Sequence, residues 1–236
     1  MLQKCGFVQV ECTHRLEFPN HAPGGLQLVL RFERPFAAPP AGGACDKRMR
    51  SWPDVHGQVM NPIAIEPVGL HWLFDSEPGS DLCAHGGLRV TRSGGVLVDT
   101  GPRDYALSTA ALQLLRTLER DHARDASFSN PLVPHCGHFM GMDAQGSVIV
   151  LNCDRGVDWA VTRDGGDVLL SFAGHADIRV AFTEWRNAVV TFSRAVRAFF
   201  AQSPKNVGAD DLEWFAAFTA EWAERHAAAE QPLPPR

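Results

Sequence analysis

Residues 86–101, GGLRVTRSGGVLVDTG, decide how the chain is read. Leu88 and Val90 alternate with polar neighbours on one arm, and Val96 and Val98 do so on the other. Ser93-Gly94-Gly95 turns the corner between them, because glycine tolerates the positive φ that a tight hairpin turn demands. The pattern is that of an antiparallel hairpin. Its core motif recurs: VTRSGG at 90–95 returns as VTRDGG at 161–166, inside DWAVTRDGGDVLLSFAG, residues 158–174. Each copy precedes a helix-like run, which fits two hairpin-plus-helix units. An old duplication would produce this, and so would hairpin sterics choosing the same turn twice. A shared catalytic loop is the poorer reading.

Working outward, Ser108 is placed to cap a helix over 109–122, with Leu112, Leu115 and Leu118 along one face. After the polar loop 124–131, strands are expected at GSVIVLNC (146–153) and ADIRVAF (176–182), with Asp143 and Gly146 forming a β-turn. Thr183 is placed to cap a helix over 184–202 whose stripe is Trp185, Val189, Phe192, Val196 and Phe199, and Ser203-Pro204 stops it. Asp210 or Asp211 opens a last helix carrying Trp214, Phe215, Phe218 and Trp222. On the N-terminal side, short strands over 59–65 and 69–74 are interrupted by Pro62 and Pro67, and a hairpin with a long loop is expected within 7–32. The Pro/Gly/Ala-rich stretch 33–54 sustains neither helix nor central strand. The fold class expected is α+β, mainly antiparallel sheet from the two hairpin-plus-helix units, with a C-terminal helical pair. Residues 1–125 form an N-terminal part of hairpins plus helix and 126–236 a second sheet-plus-helices unit, and the two can be one continuous domain.

Composition narrows the function classes. A net charge of −5 gives no electrostatic footprint for nucleic acid and suits a basic partner better. Six scattered cysteines in 236 residues read as isolated thiols and not as a disulfide scaffold. Neither a signal-peptide h-region nor a run long enough to cross a bilayer occurs, so a cytoplasmic protein is expected, with no membrane partner.

The densest chemistry lies in VPHCGHFMGMDAQG, residues 133–146. His135, Cys136 and His138, with Cys153 and Asp154 one strand later, are the donor types that hold zinc when four converge. No second ligand pair stands at matching spacing, and a loop with hydrogen-bonded histidines is the simpler reading. No metal or other cofactor is expected. Asp154, Arg155 and Asp158 read as a charged turn of little energetic worth. Nucleophile-elbow, phosphate-loop, dinucleotide and zincin motifs are all missing from the sequence. The acids Asp164 and Asp167 in the second hairpin, Asp210 and Asp211 at the last helix, and the aromatic anchor Trp214 are the candidate partner-binding residues.

The turn Gly141-x-Asp143-x-x-Gly146, then residues 158–172, 182–200 and 210–226, resemble small bacterial immunity proteins, the antidotes encoded beside polymorphic or contact-dependent toxins. The resemblance covers 134–229 and lies in general character, since the stretch is acidic and α+β, with a sheet followed by aromatic-rich amphipathic helices. It implies a non-enzymatic protein that occludes a cognate toxin through a complementary acidic surface, the toxin acting in the cytosol, for instance on nucleic acid or a nucleotide cofactor. The alternatives are a metal-dependent enzyme centred on His135, Cys136 and His138, or a structural or adaptor subunit.

Overall fold

The computed structural model describes residues 62–73, 78–124, 131–135, 139–144, 146–151 and 155–232. The N-terminal hairpin expected within 7–32 and the stretch 33–54 lie outside the described residues. The fold is α+β, with three antiparallel sheets, three helices and a C-terminal helical pair among the described residues.

The first sheet holds β1 (Ala64–His71), β2 (His85–Arg92), β3 (Gly95–Asp99) and the short β4 (Tyr105–Ala106). Its order is β1-β2-β3, and β4 pairs with the start of β2. β1 corrects the expectation of two strands broken by proline, since it runs through Pro67, which pairs with Leu88. An edge strand allows this, because a residue without an N–H can face away from the ladder there. β5 (Phe139–Met142) and β6 (Val148–Leu151) form a two-stranded sheet closed by the Asp143 turn, where Gly146 N–H donates to Asp143 O at 3.0 Å. β7 (Ala160–Asp164), β8 (Asp167–Ser171) and β9 (Ile178–Ala181) form the third.

The repeated motif is used in two registers. In the first copy Arg92 pairs with Gly95, so Ser93 (φ 51°) and Gly94 (φ 80°) are the turn residues, the pattern of a type I′ hairpin. In the second, Asp164 pairs with Asp167 and the turn is Gly165-Gly166, with positive φ at Gly165 (61°). The recurring motif therefore puts the corner one residue later in the second hairpin than in the first.

α1 (Leu107–Arg116) is the centre of the protein: all ten of its residues are buried. The expected amphipathic helix over 109–122 is thus shorter and covered all round, because α2 (Phe182–Phe200) and α3 (Leu212–Glu230) pack on it from one side and the first sheet from the other. Ser108 does not cap it. β4 leads straight into the helix, and the Leu107 and Ser108 amides donate to Ala84 O at 2.8 and 3.4 Å instead. Ser108 Oγ accepts the Ala84 N–H at 3.2 Å, which sews the helix start to the strand before it. Likewise α2 begins at Phe182 and not after a Thr183 cap: its first amide donates to Gly166 O, the carbonyl of the second hairpin turn, at 3.0 Å.

α2 and α3 run antiparallel. Arg186 reaches Ala229 O, Ser193 meets Trp222 and His226, and Phe200 packs near Phe215. Trp185, Val189, Phe192 and Val196 are buried on the inner face of α2, and Phe215, Phe218 and Trp222 on that of α3. One hydrophobic core contains α1, the inner faces of α2 and α3, and strands from both halves of the chain.

Candidate functional site

Among the described residues, a group of buried polar side chains lies where the chain enters β2. Asp81, Cys83 and His85 stand at alternate positions of the segment that bends into β2, and the Asp81 carboxylate draws the Cys83 amide and the His85 ring to itself. All three are buried. Asp81 accepts the Leu73 amide at 2.8 Å, the Cys83 amide at 3.1 Å and His85 Nε2 at 3.2 Å. Burial pushes its pKa up, but the bond and charge of His85 and the two amides outweigh that and hold the carboxyl below its ordinary value. His85 Nδ1 lies 3.3 Å from Asp104 O, so both ring nitrogens are committed to oxygen partners. Burial pushes the Cys83 thiol up to about 12, against weaker help from Ser108 and Thr109. Such a sulfur is protonated at neutral pH and is a poor nucleophile.

The segment between α2 and α3 closes over this cluster. Asn206 N–H donates to Gly79 O at 2.8 Å, and Lys205 is buried with its Nζ 3.3 Å above the Trp72 ring and 4.9 Å from that of Phe200. Trp72 in turn stacks on Phe199 at 4.7 Å. Burial lowers the Lys205 pKa to about 8, partly opposed by Asp81 and Cys83. On the solvent side His71 Nε2 pairs with Asp104 at 3.0 Å, and the His71 and His85 rings are 6.3 Å apart.

Of the suggested metal donors, His135 is described and meets Tyr105 edge-on at 5.7 Å. Burial, and next the charge of Arg155, lower its pKa. Cys136, His138, Cys153 and Asp154 lie outside the described residues, and among the described residues no three His, Cys, Asp or Glu side chains gather to hold a metal.

Asp158 is not a solvated turn residue. It takes His122 Nε2 at 2.7 Å and the Leu132 amide at 3.0 Å, with both side chains largely buried, and so joins three chain segments.

The candidate partner-binding residues fall into two separate groups. Asp164 and Asp167 flank the second hairpin turn, where Arg179 lies 2.6 Å from the first and 3.5 Å from the second. Asp211 accepts Trp214 Nε1 at 2.9 Å, and Trp214 is half-buried against Phe215. Asp210 beside them is exposed. The hairpin abuts the start of α2 while the start of α3 lies by its end, so the groups stand about 27 Å apart along the helix at 1.5 Å per residue.

One buried arrangement left no mark in the sequence. Arg116 makes a fork to Glu221, Nε to Oε1 at 2.9 Å and Nη2 to Oε2 at 2.7 Å, and also donates to Val148 O and Gln113. Burial raises the Glu221 pKa, but Arg116 and Arg225 outweigh it and hold the carboxyl low. Arg225 continues the chain of charges to Glu119. Asp81-x-Cys83-x-His85 did leave a signal, alternation at period two, but it reads as an ordinary strand start. Compared with protein-family models, with curated proteins and with solved structures, the chain matches none.

Proposed function

We propose that the chain is a non-enzymatic cytoplasmic binding protein of the immunity class, which neutralises a basic protein toxin by covering it. The observation that carries this reading is the engagement of the central reactive groups with one another: His85 holds Asp81 and Asp104 O, and Cys83 is kept as a thiol. That chemistry stabilises the fold, which leaves recognition to the surface. Among the two acidic groups, the start of α3 has the stronger claim to a basic partner. Asp164 and Asp167 share Arg179, whereas among the described residues no cation pairs with Asp210, Asp211 or Glu213. Surface charge of this kind accelerates encounter with a complementary protein and is screened by salt.

The test is co-expression with the product of the gene next to its own. The expected result is a one-to-one complex that suppresses the toxicity of that product, with association slowed about tenfold by Asp210→Lys with Glu213→Lys. Survival of toxicity with both proteins present, or association indifferent to salt and to the charge reversals, would overturn the reading.

A further inference from the structure

We propose that His226 is an acid-sensitive clasp, whose protonation loosens the C-terminal end of α3 from α2. The geometry fixes where the proton must go. Ser193 Oγ, fully buried in α2, receives Trp222 Nε1–H at 3.0 Å and lies 3.0 Å from His226 Nδ1. His226 Nε2 lies 3.3 Å from Glu230 Oε1. A carboxylate only accepts, so Nε2 carries the hydrogen, and Nδ1 of the neutral ring accepts the Ser193 O–H. A second proton can enter only at Nδ1. It would then point at Ser193 Oγ together with the Trp222 indole, and the Ser193 hydroxyl would lose its acceptor in a buried place.

The charges oppose that proton as well. Facing His226 from α2 are Arg194 and Arg197, while its own helix supplies Glu230. Glu230 already holds Arg194 at 2.9 Å. Arg186, further toward the start of α2, donates to Ala229 O and Gln231 O and adds a third guanidinium to the same end. An imidazolium would stand with Arg194 and Arg197 as a third cation around the one carboxylate of Glu230. Burial, and next the charge of Arg197, put the folded-state pKa of His226 below its ordinary 6.5. The unfolded chain thus takes the proton first, and the stability the clasp contributes is full above about pH 6.5 and declines as pH falls toward the folded value.

Hydrogen exchange of the full chain, read on peptides covering 220–232 and scaled for intrinsic rates, tests this. Exchange there should be about tenfold faster at pH 5 than at pH 7.5, and His226→Gln, which cannot titrate, should remove the difference. Equal protection at both pH values, or the same acid opening in His226→Gln, would overturn the clasp. Should the variant fail to fold, the imidazole titration of His226 in the wild-type chain decides: a midpoint below 6.5 supports the clasp and one at or above 6.5 refutes it.

Discussion

Gly87 is the position at which a single methyl group should do most damage. A Cβ built there would stand 1.6 Å from Gly101 O and 2.9 Å from Thr100 Oγ1. Restoring ordinary contact means moving the Thr100-Gly101 backbone by about 1.5–2 Å, since carbon and its neighbours rest near 3.5 Å. That shift breaks a local clamp, in which the Leu88 amide donates to Thr100 Oγ1 at 2.8 Å and the Thr100 amide to Leu88 O at 3.0 Å. Leu88 is fully buried, so its amide finds no replacement in water. Two lost hydrogen bonds, at about 1 kcal/mol each, and a stranded buried donor at about 1–3 kcal/mol put Gly87→Ala at roughly 3–5 kcal/mol. A melting point lower by roughly 6–20 °C follows for a chain of this size. Gly94→Ala is the control: φ is +80° there, but nothing lies within 4 Å of the added carbon. Only left-handed strain remains, about 1–2 kcal/mol. Urea unfolding followed by tryptophan fluorescence measures both. If Gly87→Ala costs no more than Gly94→Ala, the close approach of β2 to the chain after β3 is refuted.

Two further outcomes are expected. Arg116→Met removes the fork and the side-chain donor to Val148 O, while Arg225 still pairs with Glu221, and should destabilise by about 1–3 kcal/mol, and a double-mutant cycle with Glu221→Leu should give a coupling above about 1 kcal/mol; additivity would show that the fork contributes nothing specific. Because the folded pKa of Lys205 is about 8, below the unfolded 10.5, the unfolded state holds more protons between those values, and stability should rise with pH there by about 3 kcal/mol relative to Lys205→Met; a flat difference in denaturation midpoints across that window would contradict it.

How much of the fold was legible depends on the range of the interaction. Alternation around Leu88 and Val90, and around Val168 and Leu170, reports burial of one face, so the hairpins could be read from short windows. The α2 stripe was readable for the same reason, at period 3.6. Capping failed at Ser108 and Thr183 because carbonyls distant in sequence, Ala84 O and Gly166 O, took the first amides. No local pattern announces that. The shape of α1 was misjudged because what covers a helix is decided by its neighbours, and here they lie on every side. The site was less legible still. Arg116 and Glu221 are 105 positions apart, and His122 and Asp158 are 36 apart. Asp81, Cys83 and His85 were close enough to notice, but only burial distinguishes a locked polar cluster from a polar strand start. The acids at Asp164 and Asp211 were visible as charge, while their partners Arg179 and Trp214 Nε1 were not.

Above all, the buried polar cluster before β2 is held to stabilise the fold and to perform no chemistry. Thiol labelling resolved to Cys83 by peptide mapping, in the native chain at about pH 8, tests this most directly. With its sulfur buried and its pKa pushed up to about 12, Cys83 should remain unmodified for hours and react only once urea unfolds the chain. Modification of native Cys83 within minutes, at the pace of an activated thiolate, would contradict the claim and turn Asp81, Cys83 and His85 into a reactive centre.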